Sequence, residues 1–177
     1  MDFSTFPEYS SPKSGEEIQT MADPTAFELF LSDEVQELLD YFAATLDIRV
    51  TFFSADGRQL RRGRQMRNSD YCRMVQEELG TLKQCLTMDT DKRNEAVRRH
   101  GIIDYNCHAG LREAIAPIFI HDRLAGFLMI GQFRTGDEPP SCLLNRCTTE
   151  EQRKRLFNAF TALPRISPEK LESVLGL

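Results

Sequence analysis

Residues 112–133, REAIAPIFIHDRLAGFLMIGQF, decide how this chain folds. Arg112 to Ile120 is rich in apolar and β-branched residues, and so is Leu124 to Phe133. His121-Asp122-Arg123 separates them as a polar turn, so the pair reads as an antiparallel hairpin. The second run is nearly continuous in apolar residues, which places it in the interior of a sheet covered on both faces. Working outward, Ile102 to Asn106 is a strand that leads into this hairpin. Closer to the N-terminus, Ile48 to Phe53 and Gln59-Leu60-Arg61 flank the turn residues Ala55-Asp56-Gly57 and form another hairpin.

Helical periodicity fills the gaps. Phe27, Phe30, Leu31, Val35, Leu38, Leu39 and Phe42 recur at spacings of three and four, a stripe starting near Pro24–Thr25 with a break at Ser32–Asp33. Tyr71, Met74, Val75 and Leu79 mark a short helix ended by Gly80. Leu82, Cys85, Leu86, Met88, Asp89 and Ala96 mark a second, expected to close with Gly101 at its C-cap. Thr148, three residues before Glu151, is the expected N-cap of a helix running through Phe160. A further helix opens at Pro168, and its Leu171, Val174, Leu175 and Leu177 have no obvious partner in the sequence. The order helix, two strands, helices, three strands, helix gives an α+β fold, an antiparallel sheet with flanking helices of the PAS and GAF type.

Length and composition set the outer limits. The 177 residues suit one domain and a tail. Residues 1–24 carry Asp2, Glu8, Glu16, Glu17 and Asp23 against Lys13, and are rich in Ser and Pro without periodicity, so a disordered acidic tail is expected before a domain over 25–177. The net charge of −5 gives no basic face for direct nucleic-acid contact. The Arg58 to Arg67 run reads as a solvated hairpin arm. Neither a secretory leader nor an apolar run of about 18 residues is present, so no membrane segment and a cytoplasmic location are expected. There the five cysteines are expected to be reduced or metal-bound rather than paired.

The chemistry-bearing residues lie between Tyr71 and Gln132. Cys72, Cys85, Cys107 and His108 have the spacing C-x12-C-x21-C-H, without the C-x2-C knuckle of a zinc site. Three thiols and an imidazole suit zinc, iron or an iron–sulfur cluster if they converge. Bringing the neighbours Cys107 and His108 to the same side requires a turn at His108-Ala109-Gly110, which Gly110 permits. The same four residues also fit the lining of a metal-free pocket, where the thiols can serve as a redox switch, or plain core packing. Glu113 and Gln132 are polar positions on apolar strands: inside, they orient a small polar ligand, and outside, they face water. Tyr71 and Tyr105 offer an apolar ring with a hydroxyl handle, for a pocket or for the core. Cys142 and Cys147 form a C-x4-C pair before the last long helix, either incidental or open to reversible oxidation.

Tyr71-Cys72 on a helix, the later Cys85, the strand end Cys107-His108-Ala109-Gly110-Leu111, the strand with Ala116-Pro117-Ile118 and the strand with Gly126 and Gly131-Gln132 resemble the PocR sensory domain over about residues 25–177. The resemblance implies a PAS-like domain that senses small organic compounds such as simple hydrocarbon derivatives and short diols. Such domains usually precede a DNA-binding domain or a histidine kinase, so the chain is expected to be either one excised domain or a stand-alone version with a partner that transmits the signal. The expected function is therefore a small-molecule sensor that passes its signal to an output domain or partner protein, with a metal or thiol redox sensor on the same fold as the alternative. A thiol enzyme is a third class, but no hydrolase, phosphate-loop or metalloprotease motif accompanies the cysteines. Cys107 and His108, as sequence neighbours, are poorly placed to form a Cys–His ion pair. The apolar stripes of the first and last helices lead to the expectation of a homodimer through these flanking elements.

Overall fold

The computed structural model describes residues 28, 30–64 and 68–176. The acidic tail assigned to residues 1–24 lies outside them. The chain forms an α+β fold: a five-stranded antiparallel sheet with six α-helices among the described residues, in keeping with a PAS-like sensory domain. Helix α1 (Asp33–Leu46) precedes β1 (Arg49–Ser54) and β2 (Gln59–Arg62). Helix α2 (Asp70–Arg73) continues into a π-helical turn, Met74–Glu78, and α3 (Leu82–Arg99) follows. The meander β3 (Ile103–Asn106), β4 (Leu111–Ile120) and β5 (Arg123–Arg134) comes next, then α4 (Ser141–Leu144), α5 (Glu150–Thr161) and α6 (Pro168–Leu175).

The strand order is β2-β1-β5-β4-β3, so the apolar run expected in the interior of the sheet is its central strand, β5. His121 and Asp122 both take left-handed backbone at φ 48° and 63°, as a tight turn between right-twisted strands requires. One face of the sheet packs Val50, Phe52, Ala114 and Ile130 against Leu39 and Ala43 of α1 and Leu171 and Val174 of α6. The partner that the α6 stripe lacked in sequence is thus α1 and the sheet. Each such large side chain, fully buried, contributes roughly 1.5–3 kcal/mol. The opposite face lies under α2, the π-turn and α3, where Ala96, Ile103, Tyr105, Ile115 and Phe127 form a second cluster. A third joins Tyr71, Met74 and Leu111 to Leu143, Leu156 and Phe160 of α4 and α5.

Two helix ends differ by one residue from expectation. The left-handed residue that closes α3 is His100, at φ 49°, rather than Gly101, and its ring stacks on Phe119 with centroids 4.5 Å apart. Thr149 caps α5 rather than Thr148: its Oγ1 accepts from the Gln152 N–H at 3.1 Å, while Gln152 Oε1 accepts from the Thr148 N–H at 2.9 Å. No helix among the described residues is long and apolar enough to cross a membrane.

Candidate functional site

Alternation along β1 sends Arg49, Thr51 and Phe53 to the face under α2 and α3, opposite to Val50 and Phe52. Together with Glu113 of β4 and Met129 and Gly131 of β5 they floor a cavity of about 210 Å³. Its walls are Cys72, Val75 and Gln76 from α2 and the π-turn, Leu82, Cys85, Leu86, Met88 and Asp89 from α3, and Cys107 and His108 from the β3–β4 turn. The π-turn adds a residue to the helical repeat and sets Val75 and Gln76 over the sheet.

The turn anticipated at His108-Ala109-Gly110 is present. The Gly110 N–H donates to Cys107 O at 2.9 Å, and Gly110 takes φ 77°, so Cys107 and His108 both reach the cavity. A Cβ at Gly110 would also lie 2.7 Å from Pro140 Cγ. His108 Nε2 is 3.0 Å from Cys85 Sγ, and Gln76 Nε2 is 3.6 Å from the same sulfur. Sequence reasoning weighed His108 against its neighbour Cys107 and missed this pairing, because a contact across 23 positions depends on how α3 crosses the sheet. Burial holds the His108 imidazole below its ordinary range, with Arg146 adding to the effect. Burial also pushes up the thiols of Cys85, Cys107 and Cys72, the last to about 12.

Glu113 is the deepest polar group, 7% exposed. Burial, and then the Asp89 carboxylate, raise its pKa to about 8, so it is mostly protonated at neutral pH. Burial also raises the Asp89 carboxyl. The Tyr105 hydroxyl lies 3.4 Å from Asp89 Oδ1 and beside Glu113. A β-bulge makes the room: Glu113 pairs with Gly131 while Arg112 pairs with Phe133, which leaves Gln132 as the extra residue at φ 63°. The Gln132 side chain lines the cavity, but its polar atoms serve the scaffold. Its Oε1 accepts from the Ser69 N–H at 2.9 Å and its Nε2 donates to Asn68 Oδ1 at 3.3 Å.

Six of the eight residues singled out from the sequence therefore line one cavity: Cys72, Cys85, Cys107, His108, Glu113 and Gln132. Tyr71 does not. It is packed edge-on against Phe160, and its hydroxyl donates to Ala109 O at 2.8 Å. Tyr105 stands behind the lining, reaching it through Asp89 and Glu113. Arg49 escaped sequence reasoning, since a charged residue alternating with apolar ones on a strand reads as solvent-facing. Here Nε donates to Thr51 Oγ1 and Nη2 to Gln59 Oε1, both at 3.1 Å, and Nη1 to Asn68 Oδ1. Burial lowers its pKa from the ordinary value.

The chain matches the family model described as the sensory domain found in PocR, over residues 28–177. It belongs to the PocR sensory domain family. No curated protein and no solved structure matches it. Membership makes signal sensing the function of this PocR domain at the level of the family. The zinc, iron or iron–sulfur donor set fits less well. Among the described residues, no three His, Cys, Asp or Glu side chains are arranged to hold a metal ion. Cys72, Cys85, Cys107 and His108 share a cavity, but the close approach is between Cys85 and His108. Cys142 is exposed, and Cys147 is buried with its thiol 3.7 Å from Leu143 O.

Proposed function

We propose that this PocR domain is a cytoplasmic, non-catalytic sensor that binds a small uncharged oxygen-bearing organic molecule, such as a short alcohol or diol, in the cavity between the sheet and α2–α3. It passes the signal to an output domain or partner protein, and it pairs with a second copy of itself. The observation that carries the reading is Glu113, a carboxyl held largely protonated at the floor of a small cavity whose walls mix apolar side chains with Gln76, Asp89 and His108. At about 210 Å³ the cavity is smaller than the roughly 300 Å³ lower bound of drug-sized pockets, which restricts the occupant to a few heavy atoms. Val75, Leu82, Leu86, Met88 and Met129 suit its carbon chain. A neutral carboxyl can both donate to and accept from a hydroxyl without the cost of leaving an unpaired charge buried. Ligand contacts to α2 and α3 on one side and to the sheet on the other favour one packing of those layers, which is how occupancy is transmitted.

Thermal shift and calorimetry with short alcohols and diols test this. A saturating ligand, at about 100 times its Kd, stabilises the fold by about 2.7 kcal/mol, enough for a clear rise in melting temperature. Glu113→Gln keeps a neutral hydrogen-bonding group and binds within a few-fold of wild type at pH 7, while Glu113→Met weakens binding about tenfold through a lost buried hydrogen bond. A folded wild-type protein whose melting temperature moves with none of these compounds would refute the reading.

A further inference from the structure

We infer that Cys85 is a nucleophilic thiol which reversibly captures a small aldehyde as a hemithioacetal, with His108 as its base and Gln76 as the donor to the developing oxyanion. The inference deepens the small-molecule reading of the cavity and rests on it. Nucleophilic thiol chemistry needs a thiol that a ligand can reach, a base in hydrogen-bond contact with it, and a donor where negative charge develops. All three meet here. Cys85 is half-buried and lines the cavity, His108 Nε2 is 3.0 Å from its sulfur, and the Gln76 amide nitrogen is 3.6 Å away on another element. The amide is oriented from behind: Gln76 Oε1 accepts from Asn68 Nδ2 at 3.1 Å, which turns the Gln76 N–H groups toward the sulfur.

The step balances without any further reactant. Sγ forms a bond to the carbonyl carbon, and the carbonyl π pair moves onto oxygen, where a Gln76 N–H meets it. The thiol proton passes to His108 Nε2 and from there to that oxygen. Nothing is oxidised or reduced, and the reverse path regenerates thiol, imidazole and aldehyde. An imidazole kept in its free-base form by burial can accept that proton at neutral pH. The other cysteines lack the arrangement. Burial raises the Cys72, Cys107 and Cys85 thiols alike, but among the described residues only Cys85 has an imidazole nitrogen, His108 Nε2, at 3.0 Å from its sulfur, and Cys142 is exposed on α4 outside the cavity. Reversible capture suits a sensor better than alkylation, because the signal ends when the aldehyde concentration falls.

The test is differential labelling of the whole chain with iodoacetamide at all five cysteines, read by peptide mass spectrometry, in the presence of propanal or of propan-1-ol. Propan-1-ol has the same chain but no electrophilic carbon. The expected result is that propanal protects Cys85 at concentrations about tenfold below those needed with propan-1-ol, and leaves Cys142 unprotected. In His108→Gln, propanal loses that advantage while propan-1-ol still protects. Equal protection of Cys85 by the two compounds overturns covalent capture and leaves the small-molecule site standing. Equal protection of Cys142 by propanal overturns it as well, as indiscriminate thiol chemistry. Protection by neither compound sinks the capture proposal and also removes support from the cavity as an alcohol site.

Discussion

Glu113 shows how burial of a single residue ties stability to pH. Its carboxyl has a pKa of about 8 folded against 4.5 for the ordinary group, because burial and the neighbouring Asp89 disfavour the charged form. Between those values the folded state binds more protons than the unfolded state, so stability falls as pH rises. The loss begins as pH passes about 4.5, is complete above about 8, and amounts to at most about 1.4 kcal/mol per pH unit in that window. Glu113→Gln removes this contribution, so the urea midpoint falls less between pH 5 and pH 8 in the variant than in wild type, while the shifted Asp89 and His108 keep their own pH dependence. A wild-type slope that survives the substitution undiminished would place the proton uptake elsewhere. The sequence singled out Glu113 as a polar residue on an apolar strand but left its side open, since only the bulge at Gln132 decides which neighbours it meets. The Cys85–His108 pair was less legible: each residue was noted, their adjacency was not, because it is created by the crossing of α3 over the β3–β4 turn.

At the scale of elements, β5 couples fold and site. Gly131 lies opposite Glu113, and a Cβ there would sit 2.7 Å from Glu113 Cγ and 3.1 Å from its Cβ. Gly131→Ala therefore forces the buried side chain aside and costs about 1–3 kcal/mol, the usual range for overpacking. The expected readouts are a melting temperature lower by several degrees and weaker ligand binding. In a Glu113→Ala background the same substitution costs less, because the nearest atom, Cγ, is gone while the Cβ at 3.1 Å remains; equal cost in both backgrounds would show that the strain has another source. Elements of this kind were legible where periodicity is strong. The β4–β5 hairpin and its turn follow directly from alternation and turn chemistry, and β5 is central as its apolar composition demands. Helix ends were less so. Thr148 and Thr149 both satisfy the capping pattern, and only geometry selects Thr149. The π-turn at Met74–Glu78 leaves no periodic signature distinct from an α-helix over five residues, so nothing in the sequence showed how Gln76 comes to face Cys85.

Across the whole molecule, the two faces of the sheet are covered differently. The cavity face is closed by α2 and α3, whereas the face under α1 and α6 keeps an apolar groove of about 320 Å³ lined by Leu38, Val50, Ala116, Leu128 and Leu175. Leu38 is 64% exposed beside it, and Tyr41 on the same helix 66%. The charges around this region are self-complementary: Asp33, Glu34, Glu37 and Asp40 lie on α1, and Arg61, Arg62 and Arg64 lie on or just beyond β2. Two copies related by a two-fold axis would set acidic α1 against the partner's basic β2 edge while covering both grooves, a closed isologous contact. We expect sedimentation to show a dimer at micromolar concentration that weakens as salt rises, since part of the contact is ionic. Leu38→Glu with Tyr41→Glu should give a monomer with an unchanged circular dichroism spectrum, because both side chains are exposed in the single chain. Ligand binding in the cavity should persist in that monomer, since its lining residues lie on the other face of the sheet. A wild-type protein that stays monomeric at high micromolar concentration would rule out self-pairing as the use of this face.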